Sequence, residues 1–207
     1  MHPEAGIAIG PILFMLALLA IIAAVVAAGS GGFSVASVAD RVSADTVSQA
    51  NLILSKINEC NLKYGTNNNY DGYPKSDEQD GTLVSQLECV GDTGTGLSPN
   101  LWTGARPATL PPPTTGFTPW TYINTNSTGQ GGVADGGRCM WIEPTGKNPL
   151  GDEGVVAGLT KAANKFTNSP VFSNTAQVTY NPESASQKFV VWITMPASDT
   201  PDPHCVP

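Results

Sequence analysis

The chain has 207 residues, with 10 Lys and Arg against 17 Asp and Glu, for a formal net charge of -7. That balance argues against nucleic-acid binding, which needs clustered positive charge to displace counterions from phosphates; the length fits one globular domain with an appendage. Only 13% of residues are charged, and 22 Gly and 17 Pro give the polar, loop-rich composition common outside the cytoplasm.

From Ala5 to Ala39 there is no charged residue. Ile7–Ala28 would be about 33 Å long as a helix, matching a hydrocarbon core of about 30 Å. Pro11 falls near its first turn, where a missing N–H costs least. The segment has no polar face, so it requires apolar surroundings on all sides. Three roles fit it: a cleaved signal cut after Val26-Ala27-Ala28, a plain single-pass anchor, or the core helix of an assembly. A secretory signal has a basic start and an apolar core of about 7–15 residues; this core is longer, and Glu4 precedes it without any Lys or Arg. Gly29, Gly31 and Gly32 follow. Each weakens helix by about 1 kcal/mol relative to alanine, which makes them a candidate hinge.

Beyond the glycines the helical pattern resumes. Val35, Val38, Val42, Gln49, Ile53 and Ile57 recur at steps of three and four, with Ala39, Ala50 and Leu54 beside them. Asp40, Arg41, Asp45 and Lys56 fall largely on other faces. The spacing predicts an amphipathic stalk helix within 33–62 whose small residues permit close packing, its second half lying against its own domain.

Residues 63–207 are expected to form an extracytoplasmic head. Turn-forming residues dominate from Leu62 to Gly81. TLVSQLECV reads as a short helix, and SPNLWTGARPATLPPPTTGFTPW as an extended loop, because three consecutive prolines exclude helix and central strand. WTYIN and RCMWIEP read as strands. Asp152 is placed to cap a helix carrying Val155, Val156, Leu159, Ala163 and Phe166. AQVTYN and KFVVWITM are rich in β-branched and aromatic residues and read as a hairpin joined through 182–186. The last residues are irregular and need Cys205 to hold them. The four tryptophans, Trp102, Trp120, Trp141 and Trp192, read as core, with Trp102 and Trp120 as contact candidates if exposed.

The cysteines Cys60, Cys89, Cys139 and Cys205 contain no CxxC pair, and the only histidines are His2 and His204, so a zinc site of ordinary spacing is excluded as a working reading. Widely spaced cysteines behind a hydrophobic segment read as two disulfides made in an oxidising compartment. Three pairings exist. Cys60–Cys89 with Cys139–Cys205 is favoured, because each bridge then staples a loop-rich stretch to a regular element.

A short leader ending at Gly6, an apolar helix, an amphipathic continuation and a disulfide-bearing head together resemble a type IV pilin or type II secretion pseudopilin. NYDGYPKSDEQDGTLVSQL is similar to the Tyr-Pro segment after the long helix of major pseudopilins, through Tyr73-Pro74, Gly81, Leu83 and Leu87. The resemblance implies an α+β fold, with a long N-terminal helix before a small mixed head containing an antiparallel sheet. It also implies processing between Gly6 and Ile7, with residues 1–6 as leader and 7–32 as the membrane and assembly segment. Pro11 then stands at the fifth mature position, where the family usually has a Glu that pairs with a neighbour's terminal amine; some minor, tip-located pseudopilins also lack it. Ala17, Ala20, Ala23, Ala24, Ala27 and Ala28 would allow close approach of sister helices.

Asn67, Asn69, Asp71, Gly72 and Glu78 match a calcium-loop template with Asn at its first position; a plain Asx-type turn is the alternative. Calcium is thus the one cofactor the sequence offers. His204 lies in the tail and His2 in the leader, so no Ser/His or Cys/His nucleophile is set up. Gly146-Lys147 lacks the rest of a phosphate loop. Asp77-Glu78 and Asp152-Glu153 read as solvated turn and helix-start charges, and Asn126-Ser127-Thr128 as a glycosylation sequon. The expected protein is a non-enzymatic subunit of a pilus-like or pseudopilus-like filament, held in the inner membrane before assembly and then at the cell surface. Its partners are copies of itself or related subunits, joined through the N-terminal helix. The alternative is an anchored or secreted extracellular binding domain that does not polymerise.

Overall fold

The computed structural model describes residues 15, 17–21, 35–65, 72–76, 80–89, 99–103, 107–114, 116–124, 137–145, 153–196 and 201–207. Within the apolar segment, Met15 and residues 17–21 are helical and exposed. Among the described residues no helix is long and apolar enough to cross a membrane. Most of Ile7–Ala28, and the glycines behind it, lie outside them.

The amphipathic pattern becomes helix α1, Val35–Tyr64, about 45 Å long at 1.5 Å per residue. Its packed face begins at Ala39 and runs through Val42, Thr46, Gln49, Ala50, Ile53 and Ile57 to Cys60, the three-and-four spacing that turns one stripe inward. Val35 lies ahead of that stripe and is exposed. Lys56 departs from expectation. It is buried, its stem covered and its ammonium 3.0 Å from Glu59 Oε2 one turn ahead. A second helix, α2 (Glu153–Ala163), starts on Glu153, favourable at the positive end of the helix dipole. Asp152, expected as its cap, lies outside the described residues.

Six strands form one mixed sheet, β1 (Thr82–Leu83), β2 (Thr121–Asn124), β3 (Arg138–Ile142), β4 (Asn168–Ser169), β5 (Val178–Tyr180) and β6 (Phe189–Thr194), in the order β1-β2-β3-β6-β5-β4. All neighbours are antiparallel except β4 and β5. The fold is thus α+β. The expected β5–β6 hairpin is present, with Val178 opposite Val191 and Tyr180 opposite Phe189.

TLVSQLECV is not a helix. Thr82 and Leu83 pair with β2, Val84–Gln86 form a 3-10 turn, and the Val84 amide donates to Trp120 O at 2.9 Å. Pairing with β2 overrides the local helical pattern, as tertiary contact commonly does for a short segment. β4, two polar residues long, has no periodic signal and was not expected.

Period-two alternation divides the core in two. Tyr122, Met140, Ile142, Val178, Phe189 and Val191 face the helices, joining Ile53 and Ile57 of α1 and Leu159 of α2. Ile123, Cys139, Trp141, Val190 and Trp192 face the other way and pack with Cys205, Phe172 and Met195. Helices therefore cover one face of the sheet, while the 172 loop and the C-terminal tail cover the other.

Candidate functional site

Three places hold residues that the sequence singled out: the crossing of the two helices, the Tyr-Pro segment, and the disulfide-pinned tail.

Helix α2 crosses α1 at Gly158. A Cβ at Gly158 would lie 2.6 Å from Val42 Cβ and 3.0 Å from the Ala39 carbonyl oxygen, so only glycine permits this approach. Gly154, Gly158 and Ala162 recur every fourth residue and are all buried, the small-residue spacing that lets two backbones come together. This spacing is legible in the sequence, beside the apolar positions of α2.

The Tyr-Pro segment is docked on the edge of the head. The Pro74 carbonyl accepts from Tyr122 Oη at 3.0 Å and from Asn124 Nδ2 at 2.9 Å, and Ser76 Oγ accepts the Asn124 amide at 2.7 Å. The fully buried Arg138 places its guanidinium 4.4 Å from the centre of the Tyr73 ring, a cation–π contact strengthened by exclusion of water. Burial pushes the Tyr122 phenol well above its ordinary pKa, and the nearby Arg138 charge opposes this only in part. Gly72 closes the turn against the end of α1, where a Cβ would lie 2.6 Å from Gly65 Cα and 2.7 Å from the Asn61 oxygen. Residues 72–76 are thus fixed by β2, β3 and α1 together. Of the calcium-template residues, Asn67, Asn69, Asp71 and Glu78 lie outside the described residues. Among the described residues no group of three His, Cys, Asp or Glu could hold a metal.

The cysteines pair as Cys60–Cys89 and Cys139–Cys205, with Cα separations of 5.4 and 5.9 Å. The first ties the end of α1 to the strand-like stretch after the 3-10 turn. The second fixes the tail over the sheet. Asp202 Oδ1 accepts the His204 amide at 2.8 Å and sits 2.8 Å from His204 Nδ1. The imidazole stacks on Trp141 with centroids 6.1 Å apart. Lys188 donates to the His204 carbonyl at 3.1 Å, lies 3.5 Å from Glu143 Oε1, and stands over the Trp141 ring. His204 therefore serves as cap and lid of the second core. The sequence could not bring these residues together, since nothing local links Lys188, Glu143 and Trp141 to the tail.

All four tryptophans are buried, so Trp102 and Trp120 are not exposed contact residues. Trp102 Nε1 donates to Val84 O at 2.7 Å, Trp120 Nε1 to Gln49 Oε1 at 2.7 Å and Trp192 Nε1 to Thr179 Oγ1 at 2.9 Å. Gln49 also donates from Nε2 to Pro112 O at 3.0 Å, fastening the Pro-rich stretch to α1.

Of the assembly residues, Ala17 and Ala20 are helical and exposed. Gly6, Ile7, Pro11, Ala23, Ala24, Ala27, Ala28, Gly29, Gly31 and Gly32 lie outside the described residues. Comparison of the chain with protein-family models, with curated proteins and with solved structures finds no match.

Proposed function

We propose that the protein is a structural, non-catalytic subunit of a type IV pilus-like or pseudopilus-like surface filament, assembled through its N-terminal helix. The observation that carries this reading is the placement of α1. From Ala39 onward its packed stripe belongs to the head, whereas Val35, at its start, is exposed and follows the apolar Ile7–Ala28 segment closely in the chain. An apolar segment this close in the chain to a helix packed in the head keeps the head beside whatever that segment packs against, with Gly29, Gly31 and Gly32 as the hinge between them. In this role the segment first lies in the inner membrane and then packs against sister helices. Lipid tails are as apolar as leucine, so the gain on assembly comes from close packing at residues such as Ala17, Ala20, Ala23 and Ala24. The two disulfides suit a head that ends outside the cytoplasm.

The test is to crosslink the protein in native membranes and in sheared surface material, and to determine the mature N-terminus by mass spectrometry. Ladders of crosslinked copies with Ile7 as first residue support the proposal. Monomers alone overturn it. Pro11, in place of the family's usual Glu, favours a second reading, a membrane-anchored or secreted extracellular binding domain that does not polymerise; an intact Met1 marks the anchored form and a terminus at Gly29 the secreted one.

A further inference from the structure

Two open cavities stand out among the described residues. One, about 590 Å³, lies between α1 and α2, and charged side chains line it: Asp40, Lys161 and Lys165. The other, about 730 Å³, lies between the 3-10 turn after β1, the turn at Asn100–Thr103 and the Pro-rich stretch 107–114, and none of the described residues that line it is charged. We propose that this second cavity is a binding site for a neutral carbohydrate.

The chemistry of its walls selects that class. Ser85, Thr103 and Thr109 bring three hydroxyls, each able to donate one hydrogen bond and accept two. Asn100 accepts the Trp102 amide through Oδ1 at 2.9 Å, which orients its Nδ2 as a donor. Leu110, with Pro107 and Ala108, adds apolar surface. Hydroxyls beside an apolar wall match a pyranose, with polar hydroxyls at its rim and C–H groups on its faces. Among the described lining residues no side-chain charge stands ready to meet a charged ligand, and a wholly apolar one would strand the hydroxyls.

Main-chain pairing argues against a peptide. Strand addition needs free backbone donors and acceptors, but here Cys89 N is bonded to Pro99 O, Leu101 N to Leu87 O, Thr103 N to Asn100 O and Ala108 N to Trp102 O. The same bonds, with the Trp102 indole fixed on Val84 O and the Cys60–Cys89 bridge behind, hold the walls in place before binding. Preorganisation of this kind lowers the ordering cost of recognition. The site does not depend on whether the chain polymerises.

The experiment titrates the purified full-length protein with maltotriose, cellotriose and triacetylchitotriose, with 3′-sialyllactose and a neutral proline-rich peptide as comparisons, using ligand-observed NMR. At least one neutral trisaccharide is expected to bind saturably with a dissociation constant in the millimolar range, about 1 mM. Thr103→Val with Thr109→Val, both at exposed positions, should weaken it about tenfold by removing two hydrogen bonds. The denaturation midpoint of this double variant should stay in place, which separates loss of the site from loss of the fold. The inference is overturned if none of the three trisaccharides binds, if the double variant binds as well as the parent, or if the sialylated sugar or the peptide is the better ligand.

Discussion

Gly158 meets Val42 across the crossing of α2 and α1, so closely that a methyl group on Gly158 would stand 2.7 Å from Val42 Cγ1. In an open helix, glycine to alanine gains about 1 kcal/mol. Here that gain is opposed by overpacking of about 1–3 kcal/mol, because the obstructing atoms are a β-branched side chain and a backbone carbonyl, neither of which can swing aside. Gly158→Ala is therefore expected to lower stability by up to about 2 kcal/mol. Val42→Ala should cost stability alone, yet recover part of the loss in the double variant. A double-mutant cycle read by urea denaturation checks this; additive effects would show that the two residues do not press on each other.

Much of the fold was legible because its signals are local and repeated. The stripe from Ala39 to Ile57 follows from three-and-four spacing, and β3 and β6 from β-branched and aromatic runs. Lys56 was not legible, since the pattern sees its charge but not Glu59 3.0 Å away. The helix expected around Leu83 failed because a two-residue strand draws its stability from β2, far off in sequence. The cavity at Asn100–Thr109 was invisible for a similar reason: Ser85, Asn100 and Thr109 come from three segments that hydrogen bonds and the Cys60–Cys89 bridge gather together. Tyr73-Pro74 was noticed as a motif, but its partners Tyr122, Asn124 and Arg138 could be known only once the strands were placed.

Gln49 joins two parts of the head, accepting from Trp120 and donating to Pro112. Replacement by leucine keeps the volume but leaves the buried indole N–H without a partner, a cost of about 1–3 kcal/mol. Gln49→Leu should lower the urea midpoint without changing the slope and alter the near-ultraviolet circular dichroism of Trp120. Gln49→Glu keeps the acceptor for Trp120 but loses the donor to Pro112 and buries a carboxylate beside that carbonyl, so its stability falls as well. The glutamate variant should nevertheless retain the indole signal, and loss of that signal in both variants would refute the assignment.

Burial raises the pKa of Tyr122 strongly and pushes that of Tyr180 up to about 12. Below pH about 10, the ordinary tyrosine value, both are protonated in folded and unfolded chains, and this contribution to stability is fully present. Above it the unfolded chain loses these protons first, so stability falls as pH rises, by up to about 1.4 kcal/mol per pH unit for each such group. Absorbance at the phenolate band should show Tyr122 ionising only as the protein unfolds and Tyr180 ionising later than an ordinary tyrosine. Tyr122→Phe should flatten the loss of stability above pH about 10, at the cost of one of the two hydrogen bonds to Pro74. An unchanged alkaline limb in that variant would show that Tyr122 ionises in the folded protein.

The tail is held to the sheet by more than its bridge, and the two contributions can be separated. Cys139–Cys205 closes a separation of 66 residues and Cys60–Cys89 one of 29, so in the loop-entropy model each contributes about 4 kcal/mol, the longer slightly more. Their removal should nevertheless differ in kind. Without Cys60–Cys89, the end of α1 and the cavity wall at Asn100 lose a common anchor, and the whole core weakens. Without Cys139–Cys205, the tail still has Asp202 capping His204, the His204 stack on Trp141 and the Lys188 bond to the His204 carbonyl, but part-buried bonds of this kind contribute only about 1 kcal/mol each. The paired variant Cys139→Ala/Cys205→Ala should therefore fray before it unfolds. Amide exchange at residues 201–207 should accelerate ahead of α1, and Trp141 and Trp192 should become accessible to a solvent quencher. Exchange that quickens uniformly across the tail and α1 would show instead that the bridge stabilises the head as one unit.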